Sequence, residues 1–454
     1  MNIEILVLFI FICHFDFIKG SLVKSQYEAL KSLYDSTDGE NWYIIYYIIC
    51  IFILLFEFFH INLRFFRPRR AKWNFSDPSS DPCSIRNPWQ GVTCSNSPGI
   101  SFVRTLELAI YRLDGFLPNN IFHDLSTLTI VDFRQNRIKG FIPDLRNLTN
   151  LVTLDLSYNE LNGTIPKSIE NLSNLVTLDL SYNNLSGSIP ESIGNFSNLT
   201  SLYLRRNDLS GTIPSSIGNL SNLNTLYLSE NDLSGSIPLS IGNLSNLVNL
   251  YISENDLSGT IPESIGSVSK LVNLGLSRSR NGLSGTIPDS IANLSNLVNL
   301  YLHENDLSGT IPECIGNLSN LETLYVSGND LSGSIPSSIG DISKLVTLDL
   351  SFNNLFSVLP NEIRKLNSLK QAFLQQNRLS GLIVPLTSPV LEIYDVRSNE
   401  FTGQIPSSLF ALKSLKSLSV SDNCLSTDLS HIVDCDLSSS IEGLFLVGIG
   451  QNTR

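Results

Sequence analysis

Basic residues are in short supply. The chain of 454 residues carries 30 Lys and Arg against 42 Asp and Glu, a net charge of 30 − 42 = −12. Binding to nucleic acid needs clustered cations to neutralise phosphates, so that class of function is excluded. Histidine occurs only at 14, 60, 123, 303 and 431, never with H-E-x-x-H spacing. A zinc protease site is therefore absent. Cys424, His431 and Cys435 supply three irregularly spaced ligand types, too few for a closed zinc site. No G-x-x-x-x-G-K-S/T phosphate loop and no protein-kinase motif set occurs. Carboxylates such as Glu230, Glu254 and Glu304 recur in register, as a surface stripe does, rather than as a unique acid–base pair. The sequence thus predicts no enzyme, no metal and no cofactor. Charged residues are also sparse, at 16%, while 42% are hydrophobic. That is apolar enough to fill a core, which excludes global disorder. Methionine occurs once; Pro (19) and Gly (28) mark a turn-rich chain.

What is abundant is repetition. From Val103 a leading apolar position recurs at Leu128, Leu151, Leu175, Leu199 and onward to Leu415, in most cases 24 residues apart. The unit from Leu175 reads LVTLDLSYNNLSGSIPESIGNFSN. The pattern L-x-x-L-x-L-x-x-N-x-L at this period is the signature of a leucine-rich-repeat solenoid. L-x-x-L-x-L alternates apolar and polar residues, as a strand with one buried face requires. Leu175, Leu178, Leu180, Leu185, Ile189 and Ile193 are the expected inward residues. One such unit buries too little to offset its own ordering, so neighbours must stack. Asn recurs at 136, 159, 183, 207, 231, 255, 305, 329, 353, 377, 399 and 423. An amide both donates and accepts, so this column suits the backbone groups freed where the chain turns. Gly187 and its equivalents allow the tight turn, and Pro190 and its equivalents end the strand. Ser188, Thr212, Ser236, Thr260, Thr286, Thr310 and Ser334 form a hydroxyl column.

The L-S-G-x-I-P segment resembles the plant-type class of leucine-rich repeats found in receptor-like proteins, receptor kinases and polygalacturonase inhibitors. The resemblance covers residues 103 to about 425. The preceding stretch is similar to that family's N-terminal cap: a helix, Asn41-Trp42, then Asp81-Pro82-Cys83 and Trp89-Gln90-Gly91-Val92-Thr93-Cys94. It implies an α/β solenoid: a curved right-handed superhelix with a parallel sheet on the concave face and a helical N-terminal cap. About 13 repeats span 103–424, after a cap at 21–102 and before a C-terminal cap and tail at 425–454. Cys83–Cys94 and Cys424–Cys435 fit cap disulfides, which imply an oxidising compartment. Cys314 reads as a small buried side chain.

Residues 1–20 read as a secretory signal, with an apolar run from Ile5 to Ile12 and small residues at Gly20-Ser21. Ser25 and Glu28 have capping-box spacing for a short helix that ends at Asp38-Gly39. Residues 43–70 interrupt the cap with an uncharged Ile, Tyr and Phe run followed by Arg64, Arg67, Arg69 and Arg70. A translated intron is the favoured reading, ahead of a buried insert and a membrane span, for which the run is short. As a span it would place residues 71–454 in the cytosol. The N-x-S/T acceptor sites oppose that: Asn74, Asn147, Asn171, Asn195, Asn219, Asn243, Asn293 and Asn317, with Asn198 a further acceptor pattern and Asn162 and Asn184 too near the solenoid turn for a glycan. The tail Ile441 to Gly450 is too short to span a bilayer.

The outward position between the two strand leucines carries Tyr203, Tyr227, Tyr251, Tyr301 and Tyr325, with Gly275 breaking the column. Arg205, Arg206, Glu230, Glu254, His303 and Glu304 run beside it. Tyr and Arg are over-represented in binding hot spots. Two readings stay open: a ligand stripe, or strand-forming Tyr copied passively by repeat duplication. The leading expectation is a secreted or cell-surface recognition protein, like a receptor-like protein without a kinase. It would bind a protein, peptide or glycan on the concave face, with a membrane co-receptor as a further partner. A secreted inhibitor of wall-degrading enzymes and an ice-binding surface protein are the alternatives.

Overall fold

The computed structural model describes residues 24–36, 83, 90–97, 100–278 and 282–426. The expected signal (1–20), the apolar insert (43–70), Asn74, Cys435 and the tail lie outside the described residues. The chain divides into two compact units, Met1–Leu209 and Ser210–Arg454.

The first unit opens with the helix Lys24–Ser36. Ala29, Leu30 and Leu33 form its buried face. The helix starts at Lys24, so Ser25 lies inside the first turn rather than at the cap. A strand Val92–Ser97 then pairs antiparallel with Ile100–Glu107. The disulfide between Cys83 and Cys94, with Cα atoms 5.5 Å apart, ties the preceding chain to that pair. From Ile100–Glu107 onward the pairing becomes parallel, through Ile130–Asp132, Thr153–Asp155, Thr177–Asp179 and Ser201–Tyr203. A second ladder joins Asp114–Phe116, Arg137–Phe141, Glu160–Thr164 and Asn184–Ser188.

The second unit repeats this plan. Its main sheet runs parallel from Thr225–Tyr227 through Asn249–Tyr251, Asn273–Gly275, Asn299–Tyr301, Thr323–Tyr325 and Thr347–Asp349. It continues through Gln371–Phe373 and Ile393–Asp395 to Ser417–Ser419. Short 3-10 helices, such as Ser215–Asn219 and Glu313–Asn317, return the chain between strands. Each follows a proline whose fixed φ sets the extended entry, as at Pro214 (φ −66°, ψ 140°).

Each unit is thus a leucine-rich-repeat solenoid, and the core follows from the repeat arithmetic. Leu175, Leu178, Leu180, Leu185, Ile189 and Ile193 are all 4% exposed or less. Phe196 joins them, fully buried. The sequence reading missed it because it sits inside the Asn195 acceptor pattern. Gly187 has φ +74°, and a Cβ there would stand 2.8 Å from Thr164 Cγ2. Glycine is therefore required both for the turn and for the close approach of the threonine methyl.

The asparagine column is the main polar element of the interior. Asn255 is fully buried. Its Oδ1 accepts from the Leu233 N–H of the previous repeat at 3.0 Å. Its Nδ2 donates to the carbonyls of Leu228 (3.1 Å) and Ile252 (3.0 Å). The same pattern recurs at Asn183, Asn329 and Asn353. One side chain thereby satisfies three backbone groups that the turn would leave orphaned.

The residue before each ladder asparagine is left-handed. Tyr158, Tyr182 and Arg206 in the first unit have φ of 54–58°. Glu230, Glu254 and Glu304 in the second have φ of 57–58°, and Arg278, which precedes Ser279 rather than an asparagine, has φ of 57°. This conformation costs about 1–2 kcal/mol for a residue with a Cβ. Backbone hydrogen bonds hold it, as where Glu254 N–H donates to Ser277 O at 3.0 Å.

Candidate ligand-binding face

Strand alternation turns two residues of each three-residue strand away from the leucine core. In the second unit the leading one is Thr225, Asn249, Asn273, Asn299, Thr323 or Thr347. The other is Tyr227, Tyr251, Gly275, Tyr301, Tyr325 or Asp349. The four tyrosines are half-buried, because each leans on its neighbour. Tyr227 and Tyr251 meet edge-to-face with centroids 5.1 Å apart. Tyr301 and Tyr325 do the same at 5.5 Å. Gly275 interrupts the column for a steric reason: its Cβ would stand 2.5 Å from Tyr251 Cδ1. The Tyr251 ring lies over the space glycine leaves. Burial, reinforced by Tyr301 and Tyr227, pushes the Tyr251 hydroxyl up to about 12, so it stays protonated as a donor.

Beside the tyrosines runs a row of side-chain amides that the sequence reading did not single out. Asn273 Nδ2 donates to Asn249 Oδ1, and Asn299 Nδ2 donates to Asn273 Oδ1, both at 2.6 Å. Asn249 in turn donates to Thr225 Oγ1 at 3.3 Å. The signal was present as Asn before the strand leucine in three successive repeats, 24 and 26 residues apart, but the interior asparagine column masked it.

On the other flank, Glu254 and Glu304 are exposed and share one cation. Arg278 Nη1 lies 3.5 Å from Glu254 Oε1, and Arg278 Nε lies 3.4 Å from Glu304 Oε2. Arg278 was also absent from the expected set. It replaces glutamate in the one repeat lengthened by two residues. Glu230 occupies the same left-handed position one repeat before Glu254. His303 is half-buried between Tyr301 and Tyr325, and burial lowers its pKa below the usual histidine range.

Tyr203 and Arg205 belong to the first unit, which carries a different face. Its strand column reads Glu107, Asp132, Asp155, Asp179 and Tyr203. Asp179 is pushed up to about 6 by burial, opposed by the Ser181 N–H and reinforced by Asp155. Arg134 bridges Asp132 and Asp155 at 3.5 and 3.6 Å. The aromatic pair here is Tyr158 and Tyr182, stacked at 4.0 Å and 10°. Arg205 and Arg206 lie over the Tyr182 ring at 5.7 and 5.2 Å. The sequence reading missed this stack because it followed the strand column only.

The acceptor asparagines Asn171, Asn195, Asn219, Asn243, Asn293 and Asn317 end the 3-10 helices and are exposed. Asn147 is half-exposed. Cys424 is exposed with a free thiol. It begins the strand Cys424–Leu425, and its expected partner Cys435 lies outside the described residues. Cys314 is half-buried rather than buried, because it sits on a surface 3-10 helix. Its thiol donates to Asp289 O at 3.4 Å, and burial raises its pKa. Among the described residues no group of His, Cys, Asp and Glu is arranged to hold a metal ion. No described helix is long and apolar enough to cross a membrane.

A stacked parallel sheet backed by 3-10 turns, with an asparagine ladder and an aromatic outer column, defines a leucine-rich-repeat recognition scaffold. Leucine rich repeat family models match residues 149–209, 197–257, 269–331 and 344–366. Phytosulfokine receptor 1 of Arabidopsis thaliana is 40% identical over 103 residues, covering 22% of this chain and 10% of that protein. Receptor-like protein 53 of Arabidopsis thaliana is 40% identical over 71 residues, 16% of this chain and 7% of that one. Among solved structures, the Arabidopsis receptor kinase HAESA, in complex with the peptide hormone IDA and the co-receptor SERK1, aligns with a TM-score of 0.67. It is 38% identical over 74% of this chain and 56% of that one. The chain carries leucine-rich repeats and is similar to the ectodomains of plant receptor-like kinases and to receptor-like proteins. It spans about a tenth of the curated receptors named here and just over half of the HAESA chain.

Proposed function

We propose that the repeats act by non-covalent recognition of an extracellular ligand, with a peptide as the leading class, on the main-sheet face of the second unit. The observation that carries this reading is the run of half-buried tyrosines, fixed by edge contacts and flanked by a row of amides. Tyrosine offers a large contact area with few rotors, and amides match the donors and acceptors of a peptide backbone. The fold does not demand either: the same strands in the first unit carry carboxylates instead. Similarity to a receptor kinase whose structure holds a peptide hormone and a co-receptor supports the same class of ligand and a membrane co-receptor as partner.

The reading places the repeats outside the cell. The exposed acceptor asparagines and the Cys83–Cys94 disulfide fit an oxidising, glycosylating compartment. Expression of the full chain in a eukaryotic secretory host tests this. Medium and membrane fractions are compared on a gel before and after N-glycan removal, and the recovered protein is then offered pools of extracellular peptides. A mobility shift and saturable peptide retention are expected. An unglycosylated product that retains no peptide would overturn the reading.

A further inference from the structure

Within the second unit, three rings close on one another. Tyr301 and Tyr325 stand 5.5 Å apart at 80°. The His303 ring lies 5.9 Å from Tyr325 and 6.4 Å from Tyr301. On the next strand Asp349 pairs in register with Tyr325. Its carboxylate is held in place, accepting from Ser327 Oγ at 3.0 Å, Ser351 Oγ at 2.6 Å and Ser351 N–H at 3.1 Å. His303 Nδ1 is buried and has no hydrogen-bond partner among the described residues.

These features set the charge of what the site can take. The negative face of an aromatic ring attracts a cation, and the attraction grows as water is excluded. Asp349 is a fixed anion at the edge of the ring cluster. The charged groups that bear on His303 are Glu304, Arg278, Asp349 and Glu254. Arg278 is the one cation among them, and Glu254 and Glu304 already share it. Burial keeps the His303 ring neutral near pH 7, so it does not repel a positive group. An anionic ligand group would meet Asp349 directly.

We propose that the Tyr301–His303–Tyr325 triangle, with Asp349 at its edge, receives a lysine or arginine side chain of a peptide laid along the amide row. This rests on the peptide-recognition reading above and adds the sign of the ligand's charge. The side-chain amides of Asn249, Asn273 and Asn299 are placed to meet the peptide backbone, while the ring triangle and Asp349 select the basic residue.

The test uses the intact secreted chain, immobilised at pH 7 and offered a display library of short random peptides. Retained sequences are expected to be enriched in Lys or Arg. Replacing that basic residue by Gln in a retained peptide is expected to weaken binding about tenfold. The same replacement is expected to cost little on an Asp349→Asn chain, which keeps the size and one acceptor of the side chain, and the binding of the basic peptide is expected to fall with added salt. Tyr158→Phe, at an exposed position of the first unit, is the control variant and is expected to retain the basic peptide. Enrichment of acidic or uncharged peptides would overturn this inference while leaving peptide recognition standing. An unchanged Gln penalty on the Asp349→Asn chain would also overturn it. No retained peptide at all would overturn both readings together.

Discussion

The two units use one backbone plan and decorate it in opposite ways. In the first, the strand column is acidic (Glu107, Asp132, Asp155, Asp179) up to Tyr203, and the left-handed column carries the aromatic pair Tyr158 and Tyr182 between Gln135 and Arg206. In the second, the strand column carries Tyr227, Tyr251, Tyr301 and Tyr325 around Gly275 before it returns to Asp349, and the left-handed column over the same repeats carries Glu230, Glu254 and Glu304 around Arg278. The leucine core, the asparagine ladder and the proline-opened 3-10 turns are common to both. Either arrangement is therefore compatible with the scaffold, and the choice between them is free to serve recognition.

The largest expected effect probes what the units share. Asn255→Ala removes the acceptor for Leu233 N–H and the donor to Leu228 O and Ile252 O, all buried. A loss of about 3 kcal/mol or more is expected in urea unfolding of the full chain. Asn183→Ala, which breaks the same three bonds in the first unit, should cost a similar amount. A markedly smaller loss at one of the two would show that the ladder is not equivalent in the two units.

The next effect separates them by pH. Asp179 has its pKa raised to about 6, above the value of about 3.9 in an unfolded chain. Between those values the folded state binds the extra proton, so its stability rises as pH falls from 7 through 6 toward 4. The gain down to pH 4 is about 2 kcal/mol, and Asp179→Asn should remove it, leaving only the shallower rise from Asp132, whose pKa burial also raises. Thermal unfolding of both forms across that range is the check. A destabilised Asp179→Asn chain with an unchanged pH profile would contradict the assignment.

Gly275→Ala should act on the second unit alone. The new Cβ must displace the Tyr251 ring, at a cost of about 1–2 kcal/mol, and break the Tyr227–Tyr251 contact. Retention of peptide ligand should fall more than stability does. The smallest effect on stability is expected for Arg278→Met, below about 1 kcal/mol, because its two ion pairs are exposed. Freeing Glu254 and Glu304 should nonetheless strengthen retention of basic peptides. Weaker retention would assign Arg278 a direct ligand contact.

Most of the scaffold was legible because the repeat is its own control. The inward leucines, the asparagine column and the glycine turn each recur at fixed spacing, and a recurrence of 24 residues leaves few structural solutions. Phe196 escaped because a glycosylation pattern overlay a core position. The face was legible in part. Tyrosines were visible as a column, but the reason for Gly275, the ring packing over it, needs a three-dimensional neighbour. Arg278 and the Tyr158–Tyr182 stack lie in the left-handed column, whose outward direction follows from backbone conformation that no single residue type signals. Residues so varied as Tyr, Arg, Glu, Phe and Ser all adopt it.

The most direct measurement compares two variants of the full chain, expressed in a eukaryotic secretory host, for retention of extracellular peptides: Tyr227→Ala with Tyr251→Ala and Tyr301→Ala, against Tyr158→Ala with Tyr182→Ala. Recognition on the second unit predicts that the triple variant loses ligand while the double variant keeps it, both remaining folded. A triple variant that retains its ligand undiminished would contradict the account.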